Sequence, residues 1–285
     1  MLKQFPRTSV DGISLSRMLI GTNGFLGFSH KSAAQDAMLR EKFSDYKAYY
    51  PVLSKFLEHG VDSLMGLCGD NPGLVSGIRY TEEKTGKKIH IIDTPGINVD
   101  DTAEGRREAQ VKIKRCADAG AEICLIHHSR AEQLVNKNKQ TIERLGDYTD
   151  MIREAGMVPG LSAHMPELVV YSDQNEYDVE TYIQIYNPLG FLMQVEVEYI
   201  AKVIHNAKKP VMTIKPFASG RCTPFVGFNF VLNTIRECDM VTVGVMSRHE
   251  AAEDIEIAFA ALERRYPDIE GRSSPNKDQA AFGKK

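Results

Sequence analysis

The chain repeats one phrase of hydrophobic and polar positions. A stretch with apolar residues every three or four positions runs into a Gly- or Pro-bearing turn, then into a short apolar, often β-branched run. The short runs are RMLIGTN (17–23), GVDSLMGLC (60–68), KKIHIIDT (87–94), AEICLIHH (121–128), GMVPGLSAH (156–164), ETYIQIYN (180–187), KPVMTIKP (209–216) and DMVTVGVMS (239–247). Helical periodicity fills 33–60, 104–120, 142–156, 193–207 and 249–266 between them. Eight alternating βα units predict a closed (β/α)8 TIM barrel of the α/β class, whereas a doubly wound sheet usually stops at five to seven strands. One barrel domain is expected over 1–270, and the polar GRSSPNKDQAAFGKK that follows (271–285) reads as a loosely ordered tail.

Charge and composition narrow the partners. With 35 basic and 38 acidic residues spread without long blocks, no basic face for nucleic acid is expected. No run approaches the roughly 20 apolar residues that span a bilayer, and MLKQFPRTSVDG lacks the apolar core of a signal peptide. A cytoplasmic protein without a membrane partner is expected, with a small-molecule substrate and with room for a homo-oligomer. The five cysteines are odd in number and lack CxxC spacing, which argues against a disulfide framework or a structural zinc knuckle.

In a barrel of this kind chemistry collects at the C-terminal ends of the strands. Those ends carry Asn23 and His30, Cys68 and Asp70, Asp93, His127 and His128, Ser162 and His164, Tyr186 and Asn187, Lys215, then Ser247 and Arg248. Strand alternation sends His127 and His128 to opposite sides, so His127 is expected in the mouth and His128 toward the helix layer. Cys68, Asp93, His127 and His164 are ligand types from neighbouring strands and suit a zinc, manganese or iron ion with open positions. The structural alternative is that Asp93 caps the Thr-Pro-Gly turn and His164 the loop before Pro166. Lys215, with Gly220 and Arg221 in the loop after it, is placed to hold an anion, or else to pair with a strand-end carboxylate. Ser247 and Glu250 have capping-box spacing, and the helix start beside Arg248 is also a phosphate-type site.

The ordered segments AEICLIHH, EAGMVPGLSAHMPE, ETYIQIYNPL, VMTIKPFASGR and VTVGVMSRHEAAEDIE resemble the aldo-keto reductase superfamily over roughly residues 118–263. The first three strands match in outline. The resemblance implies a TIM barrel that binds NADP over the last two strand loops. It places His127 on the catalytic histidine, Ser162 on a nicotinamide contact with Asn187 beside it, and Lys215 to Arg221, Gly220 included, on the pyrophosphate loop. Ser247, Arg248 and Asp254 fall on adenosine-phosphate positions.

The family's tyrosine, lysine and aspartate are missing. Met65 stands at the aspartate position, the loop CGDNPGLVSG has no tyrosine, and Asp93 or Thr94 replaces the lysine. The leading expectation is therefore a small-molecule enzyme on this barrel without that machinery. It would be a metal-assisted lyase, isomerase or hydrolase of a polar carbonyl or hydroxy compound, with His127, His164 and Asp93 as acid, base or ligands. The alternatives are a divergent NADP-dependent oxidoreductase, in which Tyr186 or His164 supplies the proton, and a non-catalytic metabolite-binding barrel.

Overall fold

The computed structural model describes residues 2–269, so the expected tail lies outside the described residues. Twelve strands follow in chain order: β1 (Arg7–Val10), β2 (Ile13–Ser16), β3 (Met18–Gly21), β4 (Ser63–Gly66), β5 (His90–Asp93), β6 (Ala121–Ile126), β7 (Val135–Asn136), β8 (Thr141–Ile142), β9 (Val158–Ala163), β10 (Tyr182–Ile185), β11 (Val211–Ile214) and β12 (Met240–Gly244). Eight of them close into a parallel barrel in the order β3-β4-β5-β6-β9-β10-β11-β12, and β12 pairs back onto β3. Each of the eight apolar runs contains one of these strands, so the architecture is a (β/α)8 barrel.

Side-chain alternation sorts every strand residue to one of two faces. Leu19, Met65, Ile92, Ile123, Leu125, Val158, Ile183, Met212 and Met240 fill the interior. Ile20, Leu64, Ile91, Cys124, Ile126, Leu161, Tyr182, Val241 and Val243 face the helix layer and join a larger outer core. Two pieces depart from a plain repeat. Strands β1 and β2 form an antiparallel hairpin whose Val10 and Leu15 enter the interior cluster. Its contacts run to Asp62 and Cys238, just before β4 and β12, so it plugs the end of the barrel away from the strand C-termini. Asp11 and Gly12 both take positive φ, as a two-residue hairpin turn with right-handed strands requires.

The second departure follows β6, where a short helical turn (128–134) and the β7–β8 hairpin precede the helix Leu145–Glu154. The periodic stretch 33–60 is also not one helix. It divides into Ala33–Lys42, a 3-10 turn at Tyr46–Tyr49 and Tyr50–Glu58, because Asp45 accepts from the Lys47 N–H and Pro51 starts a new helix.

Asp93 illustrates what the alternation decides. Ile91 faces outward and Ile92 inward, so Asp93 faces outward, 1% exposed. Its carboxylate accepts from the backbone N–H groups of Gly69 at 2.6 Å, Thr94 at 2.8 Å and Cys68 at 3.3 Å. Burial nevertheless holds its carboxyl above the usual range. Asp93 anchors the turn after β4 to the end of β5. Replacing it by alanine leaves these N–H groups without their acceptor, and at about 1–3 kcal/mol for an orphaned buried group, Asp93→Ala is expected to destabilise the fold by about 3 kcal/mol. Urea unfolding measures this; a variant of unchanged stability that loses ligand binding would return Asp93 to the site.

Candidate functional site

The mouth of the barrel is built on three strand ends. On one side β6 stops at Ile126, and His127 caps a helical turn that begins at His128. Alternation turns His127 inward, as expected for the mouth, with Ile123 and Leu125 below it. The Ser129 backbone N–H donates to His127 Nδ1, and the Ser129 hydroxyl lies 2.8 Å from the same atom. With Nδ1 accepting, the neutral ring carries its proton on Nε2. Burial first, then the His128 charge, lowers the His127 pKa to about 4.

His128 departs from expectation. It begins a helix instead of extending the strand, so strand alternation no longer governs it. Its ring lies 4.3 Å from that of His127 and stacks on His164 at 3.5 Å between centroids and 16° between planes. Glu132, four residues along the turn, accepts from the backbone N–H groups of His164 and Met165 through Oε1 at 2.8 and 2.9 Å. Burial, then the charges on His128 and Lys215, lower His164 to about 3. Glu132 was not singled out from sequence; its signal was the i,i+4 spacing from His128 once a helix start is recognised at that point.

Across the mouth, Lys215 follows β11. Strict alternation would face it outward with Thr213, but its backbone is left-handed, φ +60°, and turns it to 3.4 Å from His30 Nε2. Asn23 Nδ2 reaches the same nitrogen at 3.4 Å. Burial lowers the Lys215 pKa. Lys215 and Arg221 have no carboxylate within salt-bridge distance among the described residues, so the expected alternative of a strand-end ion pair does not hold. Arg221 stacks over the Phe191 ring at 4.0 Å, and a Cβ on Gly220 would contact the Lys31 side chain. Ser162 lies on the inward parity of β9 and is 4% exposed.

Other expected site residues are elsewhere. Asp93 is on the outer face of the barrel. Cys68 is fully buried and its thiol is pushed up by burial and by Asp93, so Cys68, Asp93, His127 and His164 do not form one ligand set. Tyr186 shares the outward parity of Tyr182 and donates its hydroxyl to Thr234 Oγ1 at 3.0 Å, 1% exposed, which removes it as a proton donor to the mouth. Asn187 is consumed by its own loop, accepting from Leu189 and Phe191 N–H and donating to Phe191 O. Ser247 caps the last helix by accepting from Glu250 N–H, and Glu250 accepts from Met246 N–H. Arg248 pairs with Glu58 at 3.0 Å, and Asp254 is buried within the helix Arg248–Glu263. Of the positions implied for NADP, Ser162, Lys215, Gly220 and Arg221 border the mouth, while Asn187, Ser247, Arg248 and Asp254 are engaged within the protein.

Comparison with solved structures agrees with the barrel. A protein from Pseudomonas aeruginosa assigned as an aldo-keto reductase superposes with a TM-score of 0.66 over 91% of this chain and 98% of its own, at 14% identity. The glycerol dehydrogenase of Gluconobacter oxydans gives 0.58 over 94% and 98% at 11% identity. An aldo/keto reductase from Klebsiella pneumoniae, solved with NADP and acetate, gives 0.52 over 96% and 99% at 13% identity. No family model and no curated protein matches the sequence. The chain has an aldo-keto-reductase-like barrel.

Both lowered histidines have a thermodynamic signature. Their folded pKa values, about 4 and about 3, lie below the 6.5 of a free histidine. The unfolded chain therefore binds more protons between these values, and the contribution to stability is complete above 6.5 and lost as pH falls through the window. Histidine ring proton signals of His127 and His164 are expected to stay flat from pH 8 to about 5.5 and to shift only at lower pH. Titration of either near 6.5 would contradict the buried, neutral state.

Proposed function

We propose that this barrel is a small-molecule enzyme acting on an anionic, polar carbonyl or hydroxy compound without the tyrosine, lysine and aspartate machinery of the reductases whose fold it shares. The observation that carries this reading is Lys215: an ammonium group that burial has already weakened, on a left-handed backbone, with no carboxylate partner among the described residues. A half-buried cation without a counterion is costly, and a left-handed non-glycine backbone at a strand end is a strained conformation of the kind found at ligand sites. A bound carboxylate or phosphate supplies the missing charge. Arg221 and Lys31, close to the same loop, extend the positive surface.

His127 is the second element. A neutral imidazole offering Nε2–H can hydrogen-bond a substrate oxygen as negative charge develops there, and it acts as an electrophile over the whole neutral range. The reaction class that suits this pair is an isomerase or lyase step at a carbon beside an oxygen. Ser162, on the inward face of β9, lines the floor of the site. The NADP-dependent reading keeps one observation in its favour, the Klebsiella barrel solved with NADP and acetate. The engagement of Asn187, Ser247, Arg248 and Asp254 weighs against it.

Calorimetric titration with inorganic phosphate and with a small dicarboxylate tests the anchor. Millimolar or tighter binding is expected, reduced about tenfold or more in Lys215→Ala, the loss usual for one charged hydrogen bond, and unchanged in Lys202→Ala. Wild-type protein that binds neither anion refutes the anchor. NADPH fluorescence is expected to be unaltered by the protein, and saturable quenching or enhancement would favour the oxidoreductase.

A further inference from the structure

We propose that His128, Glu132 and His164 form a binding site for one divalent transition metal ion, with zinc the best match. The donor atoms of the three side chains all lie within 4.8 Å of one another. They come from the ends of adjacent barrel strands, His128 and Glu132 from the turn after β6 and His164 from the end of β9. Two imidazole nitrogens and one carboxylate oxygen are a donor set that zinc, iron and manganese accept with coordination positions left open.

Three details point to a ligand and not to packing alone. Glu132 Oε1 is held by the His164 and Met165 N–H groups, the kind of outer hydrogen bonding that orients a metal-binding carboxylate, and this leaves Oε2 for an ion. Oε2 lies 3.8 Å from His128 Nδ1, too far for a hydrogen bond and suited to an atom between them. His128 Nδ1 is itself buried without any hydrogen-bond partner, an arrangement that costs free energy unless something occupies the position. The two imidazoles are stacked face to face, whereas an ion bound to both must lie near both ring planes. Binding therefore requires the rings to splay about χ2, a soft torsion for histidine. His127 is not part of the set: the donor atoms that lie within 4.8 Å of one another are those of His128, Glu132 and His164.

The position would also give the ion a role at the mouth. Lys215 lies close enough to act electrostatically on His164, so an anion spanning the mouth would meet the ammonium on one side and the ion on the other. That consequence rests on the anion reading; the site itself does not.

The test uses the full chain, stripped with chelator and titrated with Zn2+ and with Co2+. One ion per chain is expected, with cobalt ligand-field bands reporting nitrogen and oxygen donors and with a rise in melting temperature. His128→Gln removes a nitrogen whose Nδ1 has no internal partner to lose. Glu132→Gln keeps an oxygen for the two backbone N–H groups while removing the charge. Each is expected to weaken zinc at least tenfold, while Cys68→Ser leaves it unchanged. The site is overturned if the stripped protein takes up neither ion at micromolar concentration, or if binding persists in both His128→Gln and Glu132→Gln. Loss of metal with phosphate binding intact would fault the mouth-spanning role alone; loss of phosphate binding with metal intact would fault the anion reading and leave the site standing.

Discussion

A closed barrel gives every strand residue two choices, inward or toward the helices, and that single constraint decides which side chains can meet a ligand. Leu125 inward places His127 in the mouth; Tyr182 outward places Tyr186 behind the wall. Asp93 and Tyr186 have the right chemistry and the right position along their strands, but the wrong parity. The interior is mainly apolar up to the level of Met65, Ile92, Leu125 and Ile183, and the ionisable groups gather where the strands give way to loops. The candidate site is built from the few residues at which regular alternation ends.

Those endings are of two kinds. After β6 the chain passes directly into a helical turn, which brings His128 and Glu132 beside His164. After β11 the left-handed Lys215 turns a side chain that regular alternation would have sent outward. Both depart from regular geometry within one residue, and both put charged or ionisable groups where water is partly excluded. The electrostatic balance is uneven: Lys215, Arg221 and Lys31 border the mouth, and Glu132 is the carboxylate gathered with the histidines.

The architecture was legible because it rests on repeated patterns. Each barrel strand is an apolar run bounded by turn residues, and eight of them in one chain leave little choice of topology. The hairpin at the start also carries a signal, the alternation around Asp11-Gly12, which lies outside the eight βα units. The site was readable only in part. His127, Ser162, His164 and Lys215 were located by their strand ends. His128 was found at its strand end but expected toward the helix layer, and Glu132 was not found, because the switch from strand to helix at His127 is set by backbone geometry and leaves no mark in hydropathy. Asp93 was misplaced since chemical type says nothing about parity, which depends on where each strand enters the barrel. Asn187, Ser247 and Arg248 were read from their strand ends and Asp254 from resemblance, and local interactions engage those side chains.

The hairpin β1–β2 seals one pole of the barrel, with Thr8 bonded to Cys238 and Arg7 to Asp62. The face left open is therefore the opposite one, at the strand C-termini, where the histidines and Lys215 lie. The N-terminal end of the described chain sits at the opposite pole, where Phe5 bonds to His59 ahead of the hairpin. Immobilising the protein through that end would present the open face to solution, an orientation that surface-based ligand screening could exploit directly.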